Sequence, residues 1–554
     1  MPQRQGNEMK ATEFARSGHE DSFARDNLPP RESWPDLRLE EAALAYPERL
    51  NCVAELLDRH LAEGRGGRIA VIAAGLQWSY AELAEKVNRI ATVLTRDLGM
   101  VAGNRVLLRA GNTPMMVAAY LAVIKAGGIA VATMPMLRAG ELAYPLRKAQ
   151  IALALCDHRL TAELEAAKAQ APGLALIVGF GSGESELEQL MAQPGYEHFE
   201  AADTARDDVC LIAFTSGTTG EPKGTMHFHQ DMLAICDTYG AQVLRASPDD
   251  RFTGSPPLAF TFGLGGLVLF PMRIGAAMVL PDKAGPAELI EAIERHKVSV
   301  VFTAPTAYRA MLDKLEGRDI ASLSICVSAG ETLPKSIFDA WQERTGIALM
   351  DGIGATEMLH IFIGAPREAI RPGATGLPVP GYEAMVVDAE GTEVPDGTPG
   401  RLAVRGPTGC RYLADERQTR YAQNGWNITG DTYVRDTDGY FWYQARSDDM
   451  IVSAGYNIAG PEVEACLLTH PDVLECGVVA APCPERGNIV KAYVVLQEGV
   501  AASDALAKAL QEHVKAAIAP YKYPRAIAFV AALPKTASGK LQRFTLRQMA
   551  RGET

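Results

Sequence analysis

Short, uninterrupted apolar runs at 69–74, 106–108 and 128–133 alternate with longer stretches at 80–98 and 114–126 whose apolar positions recur at helical spacing. A strand buried on both faces is apolar throughout, whereas a helix facing a core shows a period near 3.6, so the runs read as strands and the stretches as helices. The rhythm returns at 298–303, from 306, and at 324–328, 335–344 and 348–350. Strands alternating with helices predict a covered, mostly parallel sheet, with glycine-rich turns at strand ends where ligands gather. Before this region, Val53, Leu56, Leu57 and Leu61 predict an amphipathic helix over 51–63. Residues 1–50 form a polar arm whose Pro29-Pro30 pair favours an extended path, lying across the folded body or partly mobile.

The pattern changes toward the C-terminus. Between 382 and 406, short apolar runs are separated by Gly, Asp and Pro turns, which predicts a small β-rich subdomain. Beyond Arg446, strand-like segments at 450–453, 475–481, 491–496 and 526–531 interleave with helical ones at 461–468 and 502–518. This predicts a compact α+β unit of ordinary domain size. The expected architecture is α/β. A large N-terminal domain, 1–445, carries covered, mostly parallel sheets and the β-rich subdomain, and a small α+β domain occupies 446–554. A chain of 554 residues is too long for one core.

Composition narrows the partners. With 47% hydrophobic and 22% charged residues the chain is that of an ordinary soluble globular protein. Lys and Arg total 54 against 67 Asp and Glu, a formal charge of −13, which argues against a general nucleic-acid partner. Nine scattered cysteines with no Cys-x-x-Cys pair read as reduced thiols of a cytoplasmic protein. No apolar core of a secretory signal stands in the first thirty residues and no run of 18 apolar residues occurs, so neither an export signal nor a membrane span is expected.

The candidate chemistry centres on 215–224, Thr-Ser-Gly-Thr-Thr-Gly-Glu-Pro-Lys-Gly, directly after the apolar run 209–214. Gly217, Gly220 and Gly224 let the backbone approach a ligand. Thr215, Ser216, Thr218 and Thr219 supply hydroxyls, Lys223 supplies positive charge, and backbone amides can turn toward an anion. The segment reads as a phosphate loop, although its spacing is not that of the Walker A motif. Asp351-Gly352-Ile353-Gly354-Ala355-Thr356-Glu357 sets a hydroxyl beside a carboxylate after a glycine turn, suited to a phosphate oxygen and a magnesium ion, a hard cation that prefers oxygen donors. The same pair also reads as a helix start. Gly330-Glu331-Thr332 closes a strand in a turn suited to a flat base, and Asp431, after Thr429-Gly430 and before an expected hairpin, can accept ribose hydroxyls. Lys540 follows a flexible Ser-Gly pair, so its ammonium can be delivered to a site built elsewhere.

These motifs, in this order, resemble the adenylate-forming superfamily of acyl-CoA synthetases, nonribosomal peptide adenylation domains and beetle luciferases. The resemblance implies ATP, Mg2+ and coenzyme A as cofactor and cosubstrates. It implies adenine contacts at Gly330, Glu331, Thr332, Asp351, Gly352 and Ile353, and magnesium at Glu357 beside Thr356. Ribose contacts fall at Asp431 and a nucleotide contact at Arg446. Asp448 becomes the hinge of a mobile C-terminal lid, Gly455 lies near the pantetheine path, and Lys540 becomes the catalytic lysine. The family often carries an aromatic residue at Ile353, glycine at Ala445 and lysine at Val452.

The resemblance also places Phe260, Phe262 and Gly263 of 256–265 along the acyl pocket, where phenylalanines suit a flat apolar ring. Glu357-Met358-Leu359-His360-Ile361-Phe362 resembles benzoate-type CoA ligases and puts His360 near that ring, where it could recognise an ortho substituent. Residues 27–37 and 49–60 look most like 2-aminobenzoate CoA ligases. The expected reaction is ATP-dependent conversion of an aryl acid to its acyl-adenylate and then to aryl-CoA, by a monomer or homodimer. Another acid, or a separate carrier protein as acceptor, is the alternative.

Overall fold

The computed structural model describes residues 14–39, 44–215, 222–446, 449–453, 456–483, 487–518, 520–535 and 540–552. A six-stranded sheet runs in the order Leu176–Phe180, Leu153–Asp157, Arg105–Arg109, Ile129–Thr133, Val209–Thr215, Lys223–Phe228, and only its last pair is antiparallel. A nine-stranded sheet is parallel through Ile69–Ala73, Ala277–Leu280, Arg251–Gly254, Val300–Thr303, Ile325–Ala329 and Leu349–Gly354. Antiparallel strands finish it at both edges.

The main core lies between these sheets. Helices Tyr80–Thr92 and Pro114–Lys125 fill it, and all but the first two residues of the second helix are buried. That explains its apolar run, since a helix enclosed on all sides needs no polar face. Strand alternation is visible at Arg105–Arg109, where Val106 and Leu108 face this core and Leu107 faces an outer one. Helices Pro286–His296, Pro305–Leu312 and Lys335–Thr345 cover the far side of the nine-stranded sheet.

A five-stranded antiparallel sheet built on Glu383–Val387, Gly400–Arg405, Trp426–Arg435 and Phe441–Arg446 forms the expected β-rich part. Beyond it, Val473–Cys483, Gly487–Leu496 and Ala526–Phe529 make a three-stranded sheet. Helices Gly460–Leu467 and Asp504–Ala517 share its first small core, and Arg543–Arg551 packs in a second. The last helix is absent from the sequence reading, although Leu546, Met549 and Ala550 recur at helical spacing and turn one face to the second core. Among the described residues no helix is long and apolar enough to cross a membrane. All nine cysteines are free thiols. Three distant side chains, Cys52, Cys210 and His229, nevertheless converge in the core to within 4.8 Å.

Residues 14–39 of the arm lie across the body. Gly18 N donates to Asp208 Oδ2 at 2.7 Å, Asp36 N to Gly425 O at 2.8 Å, and buried Trp34 packs on Phe228 at 5.8 Å. Beneath Trp34, Arg411 pairs with Asp231, both side chains being 0% exposed, and the guanidinium lies 4.0 Å from the Phe228 ring centroid. Asp231 also accepts the Phe228 N–H at 3.0 Å and so caps the helix His229–Ile235. Removing one partner of a buried ion pair strands the other charge in a dry interior. Asp231→Ala is therefore expected to destabilise the protein by about 3–5 kcal/mol, read as a lower thermal unfolding midpoint, whereas an unchanged midpoint would remove this pair from the stabilising contacts.

Candidate active site

The carboxyl ends of the parallel strands supply the site. Thr215, closing Val209–Thr215, stands in register with Lys223, which opens Lys223–Phe228, and Lys223 N donates to Thr215 Oγ1 at 3.4 Å. The lysine of the phosphate segment is thus the first residue of an antiparallel strand, a position the sequence reading left within a loop. Ser216, Gly217, Thr218, Thr219 and Gly220 lie outside the described residues, as do Asp448 and Gly455.

Lys223 Nζ donates to Tyr412 Oη at 2.6 Å and reaches Glu357 Oε1 at 3.3 Å, and the Tyr412 hydroxyl donates to the same Oε1. Glu357 is 6% exposed, so its charge depends on these neighbours. Burial first, then the Glu357 charge, raises the Tyr412 pKa far above the usual phenol range and keeps it a neutral donor. Thr356 and Glu357 sit in a tight helical turn after Leu349–Gly354. The Thr356 carbonyl accepts a hydrogen bond from His227 Nε2 at 2.8 Å. Tyr412 and His227 are absent from the sequence reading, since nothing in the local spacing marks them. Tyr412 lies 189 positions from Lys223.

A second group forms around Gly330, whose φ of +87° favours glycine. The Lys540 side chain crosses this residue, so that a Cβ placed on Gly330 would lie 3.9 Å from Lys540 Cε and 4.0 Å from Nζ. Lys540 keeps solvent contact, yet the surrounding protein lowers its pKa, with the Glu331 charge opposing. Burial raises the Glu331 pKa, opposed by hydrogen bonds from Thr306 and by the Lys540 charge. Thr332 is exposed.

Asp431 and Arg446 are register partners on adjacent strands, joined from Nη1 to Oδ1 at 3.2 Å. Asp431 lies inside the ten-residue strand Trp426–Arg435, ahead of the antiparallel return Phe441–Arg446, which is the expected hairpin. A Cβ on Gly430 would stand 2.4 Å from Arg446 Nη2, so the glycine makes room for the guanidinium. Burial raises the Asp431 pKa against the opposing pull of Arg446.

The segment Asp351, Gly352 and Ile353 is likewise extended strand, not a glycine turn, since it pairs on both sides. Gly352 leaves no room for a side chain, as a Cβ there would meet Ile361 Cγ2 at 2.9 Å, and half-buried Ile353 packs on the main core.

Behind the Thr356 turn is a cluster of rings. His360 is 2% exposed and meets Phe270 at 4.6 Å, Tyr239 at 5.5 Å, Phe262 at 5.6 Å and Phe302 at 6.3 Å between centroids. Among the described residues neither ring nitrogen has a hydrogen-bond partner, and the Tyr239 hydroxyl lacks one as well. Burial pulls the His360 pKa down to about 3, with the Phe262 backbone acting weakly the other way, so the ring is neutral at ordinary pH. A Cβ on Gly263 would stand 2.2 Å from the Pro257 carbonyl oxygen, and one on Gly265 would stand 2.3 Å from His360 Cδ2, so both positions need glycine. Phe260 caps the helix Thr261–Leu264 and is half-buried. Tyr239, Phe270 and Phe302 are absent from the sequence reading, and only folding makes them neighbours of His360.

Asp351 gives a pH signature. Among the described residues its Oδ1 has no partner, and burial pushes its carboxyl up to about 8. An unfolded aspartate titrates near about 4, so the native state binds an extra proton between these values and stability falls as pH rises across them. Thermal unfolding of Asp351→Asn should show the variant gaining on the wild type from pH 5 to pH 8. Parallel curves would exclude this proton.

The chain matches the AMP-binding enzyme family over residues 58–412 and the AMP-binding enzyme C-terminal domain over residues 462–540. It is 37% identical over 512 residues to the benzoate–CoA ligase of Thauera aromatica, covering 91% of this chain and 97% of that relative. The anthranilate CoA ligase AuaEII, solved in complex with anthranoyl-AMP, aligns with a TM-score of 0.87 at 36% identity over 92% of this chain and 98% of its own. A benzoate CoA ligase from Burkholderia xenovorans LB400 aligns with a TM-score of 0.82 at 33% identity, over 90% of this chain and all (100%) of its own. With family matches across both parts of the chain and these relatives spanning nearly its whole length, the chain belongs to the AMP-binding enzyme family.

Proposed function

We propose that this protein activates an aryl carboxylic acid of the benzoate or 2-aminobenzoate type with ATP and transfers it to coenzyme A. The observation that carries this reading is the cluster of aromatic rings around neutral His360, three residues beyond Glu357 in the same chain segment. Flat apolar rings suit a benzene ring. Unpartnered His360 and Tyr239 favour an acid that brings its own hydrogen-bonding group, as a 2-amino substituent does. The benzoate and anthranilate ligases among its relatives support the same acid class.

In this reading a carboxylate, itself a poor electrophile, attacks the α-phosphorus of ATP, and pyrophosphate leaves. Lys223 takes the departing phosphates. Lys540, reaching over Gly330, neutralises charge that builds between the acid and the α-phosphate. Asp431 holds the ribose, with Arg446 fixing its orientation. Gly330, Glu331 and Thr332 face the base across from Asp351 to Ile353. Glu357 fits a magnesium ion, because a buried carboxylate whose recorded contacts all fall on Oε1 keeps a second hard oxygen donor; the ion would neutralise polyphosphate charge. Thr356, its carbonyl held by His227, offers its hydroxyl to a phosphate oxygen in this reading.

Residues 1–445 form the ATP- and acyl-binding body in this proposal, and 446–554 form a lid that turns about Asp448. That motion withdraws Lys540 and opens a thiol path past Gly455, a conformational gate between two half-reactions. We place the reaction in the cytoplasm, where the free thiols stay reduced.

Product mass after incubation with ATP, magnesium, CoA and a panel of benzoate, 2-aminobenzoate, hydroxybenzoates, cinnamates and short fatty acids tests the acid class. Dominant benzoyl-CoA or 2-aminobenzoyl-CoA is expected; fatty acyl-CoA alone, or no thioester, would overturn it. Lys540→Ala should lower acyl-adenylate formation by about 10²–10³-fold, the usual loss for one transition-state donor, while sparing thioester formation from supplied aryl-adenylate. Equal loss in both steps would deny Lys540 its separate role.

A further inference from the structure

We propose that Tyr412 is a positioning residue of the nucleotide site, bridging Lys223 and Glu357 and keeping both aimed at the β- and γ-phosphates of ATP. The inference rests on the reading of this site as one that binds ATP, and it adds a residue that none of the recognised motifs contains.

A phenol has one proton to donate and lone pairs to accept with. Tyr412 uses both kinds of capacity here: its oxygen accepts from Lys223 Nζ at 2.6 Å and its proton goes to Glu357 Oε1. Cation and carboxylate therefore meet through the phenol, with the direct Lys223 to Glu357 contact longer at 3.3 Å.

The phenol is itself fixed on several sides. Tyr412 is 0% exposed, its backbone forms a bridge with Thr225 beside Gly224, and its N–H donates to Gln418 Oε1 at 2.9 Å. Its ring meets Tyr421 edge-on at 5.9 Å, and Lys223 Nζ lies 4.7 Å from its centroid. The preceding residue is Arg411, anchored to Asp231 in the core. A rigid, doubly bonded hydroxyl is thus set between two groups of opposite charge that both serve the polyphosphate.

Without that hydroxyl, Lys223 turns its charge fully to the Glu357 contact it already makes at 3.3 Å, and a polyphosphate has to break a tighter pair before it binds. A mononucleotide, which lacks β- and γ-phosphates, is indifferent to that change. The ratio of the two affinities therefore isolates a positioning role from a general loss of structure.

Calorimetry with α,β-methylene ATP plus magnesium, and separately with AMP, on wild type and Tyr412→Phe reads this ratio without any acid or turnover. The expected result is ATP-analogue binding weakened about tenfold or more, the usual effect of losing a hydrogen bond to a charged group, with AMP binding within about twofold. In the Lys223→Met background the Tyr412→Phe effect should largely vanish, since its partner is gone. Equal losses for both nucleotides, no loss, or a full effect that persists without Lys223 would overturn the proposal. Tyr412→Met supplies a second side chain without the hydroxyl, judged by the same ratio, should the phenylalanine variant not fold. Wild type that binds neither nucleotide would overturn the ATP reading itself, and a failed acid panel leaves the nucleotide ratio unaffected.

Discussion

Charge at the site has to be carried into a partly dry rim, and each charged group there is held by a partner of opposite charge from another strand or loop. Lys223 meets Glu357 through Tyr412, Asp431 meets Arg446, and Lys540 lies among Glu331, Arg446 and Asp431. An ion left alone in such surroundings shifts its pKa or destabilises the fold. The rim is therefore preorganised before any nucleotide arrives, with positive groups restrained by carboxylates. Two stacked sheets make this possible, because their strand ends deliver loops from many places in the sequence to one edge.

The same packing accounts for the contrast between the two halves of the site. The group around Lys223, Asp431 and Lys540 is made of paired charges, whereas the group around His360 is closed by rings. Gly263 and Gly265 bring the helix Thr261–Leu264 and the turn after it so near to Pro257 and His360 that no Cβ fits. That closeness dries the histidine and fixes it as a neutral ring able either to donate or to accept a hydrogen bond. In the proposed function, specificity for an acid would rest on which hydrogen bond the acid completes, a stronger discriminator than one methylene of shape.

Much of this was legible in the chain. The runs at 69–74, 106–108 and 128–133 became strands, and 80–98 and 114–126 became the helices of the main core, since burial on both faces or on one stripe leaves a direct imprint on the pattern. Lys223, Glu357 and Lys540 were recognisable because each sits in a run of unusual residues. Asp431 was read as standing ahead of a hairpin, and Trp426–Arg435 with Phe441–Arg446 forms one. The stretch around Gly352 and Ile353 was read as a glycine turn, and strand pairing overrode that composition. The helix Arg543–Arg551 and residue Tyr412 went unread: the helix is short, with an apolar face of only Leu546, Met549 and Ala550, and Tyr412 is a single tyrosine in an unremarkable stretch.

The sequence by itself determined the alternation of strands and helices, the order of the motifs and the types of group available for phosphate and carboxylate chemistry. All of these depend on composition and spacing within short windows. Which groups touch was decided only by the tertiary structure: Tyr412 between Lys223 and Glu357, Lys540 over Gly330, four rings about His360, and Cys52 with Cys210 and His229. The reason is physical. Hydrogen bonds and ion pairs act over a few ångströms, and separations of 134 to 189 residues along the chain become such distances only when two sheets and the layers between them pack together.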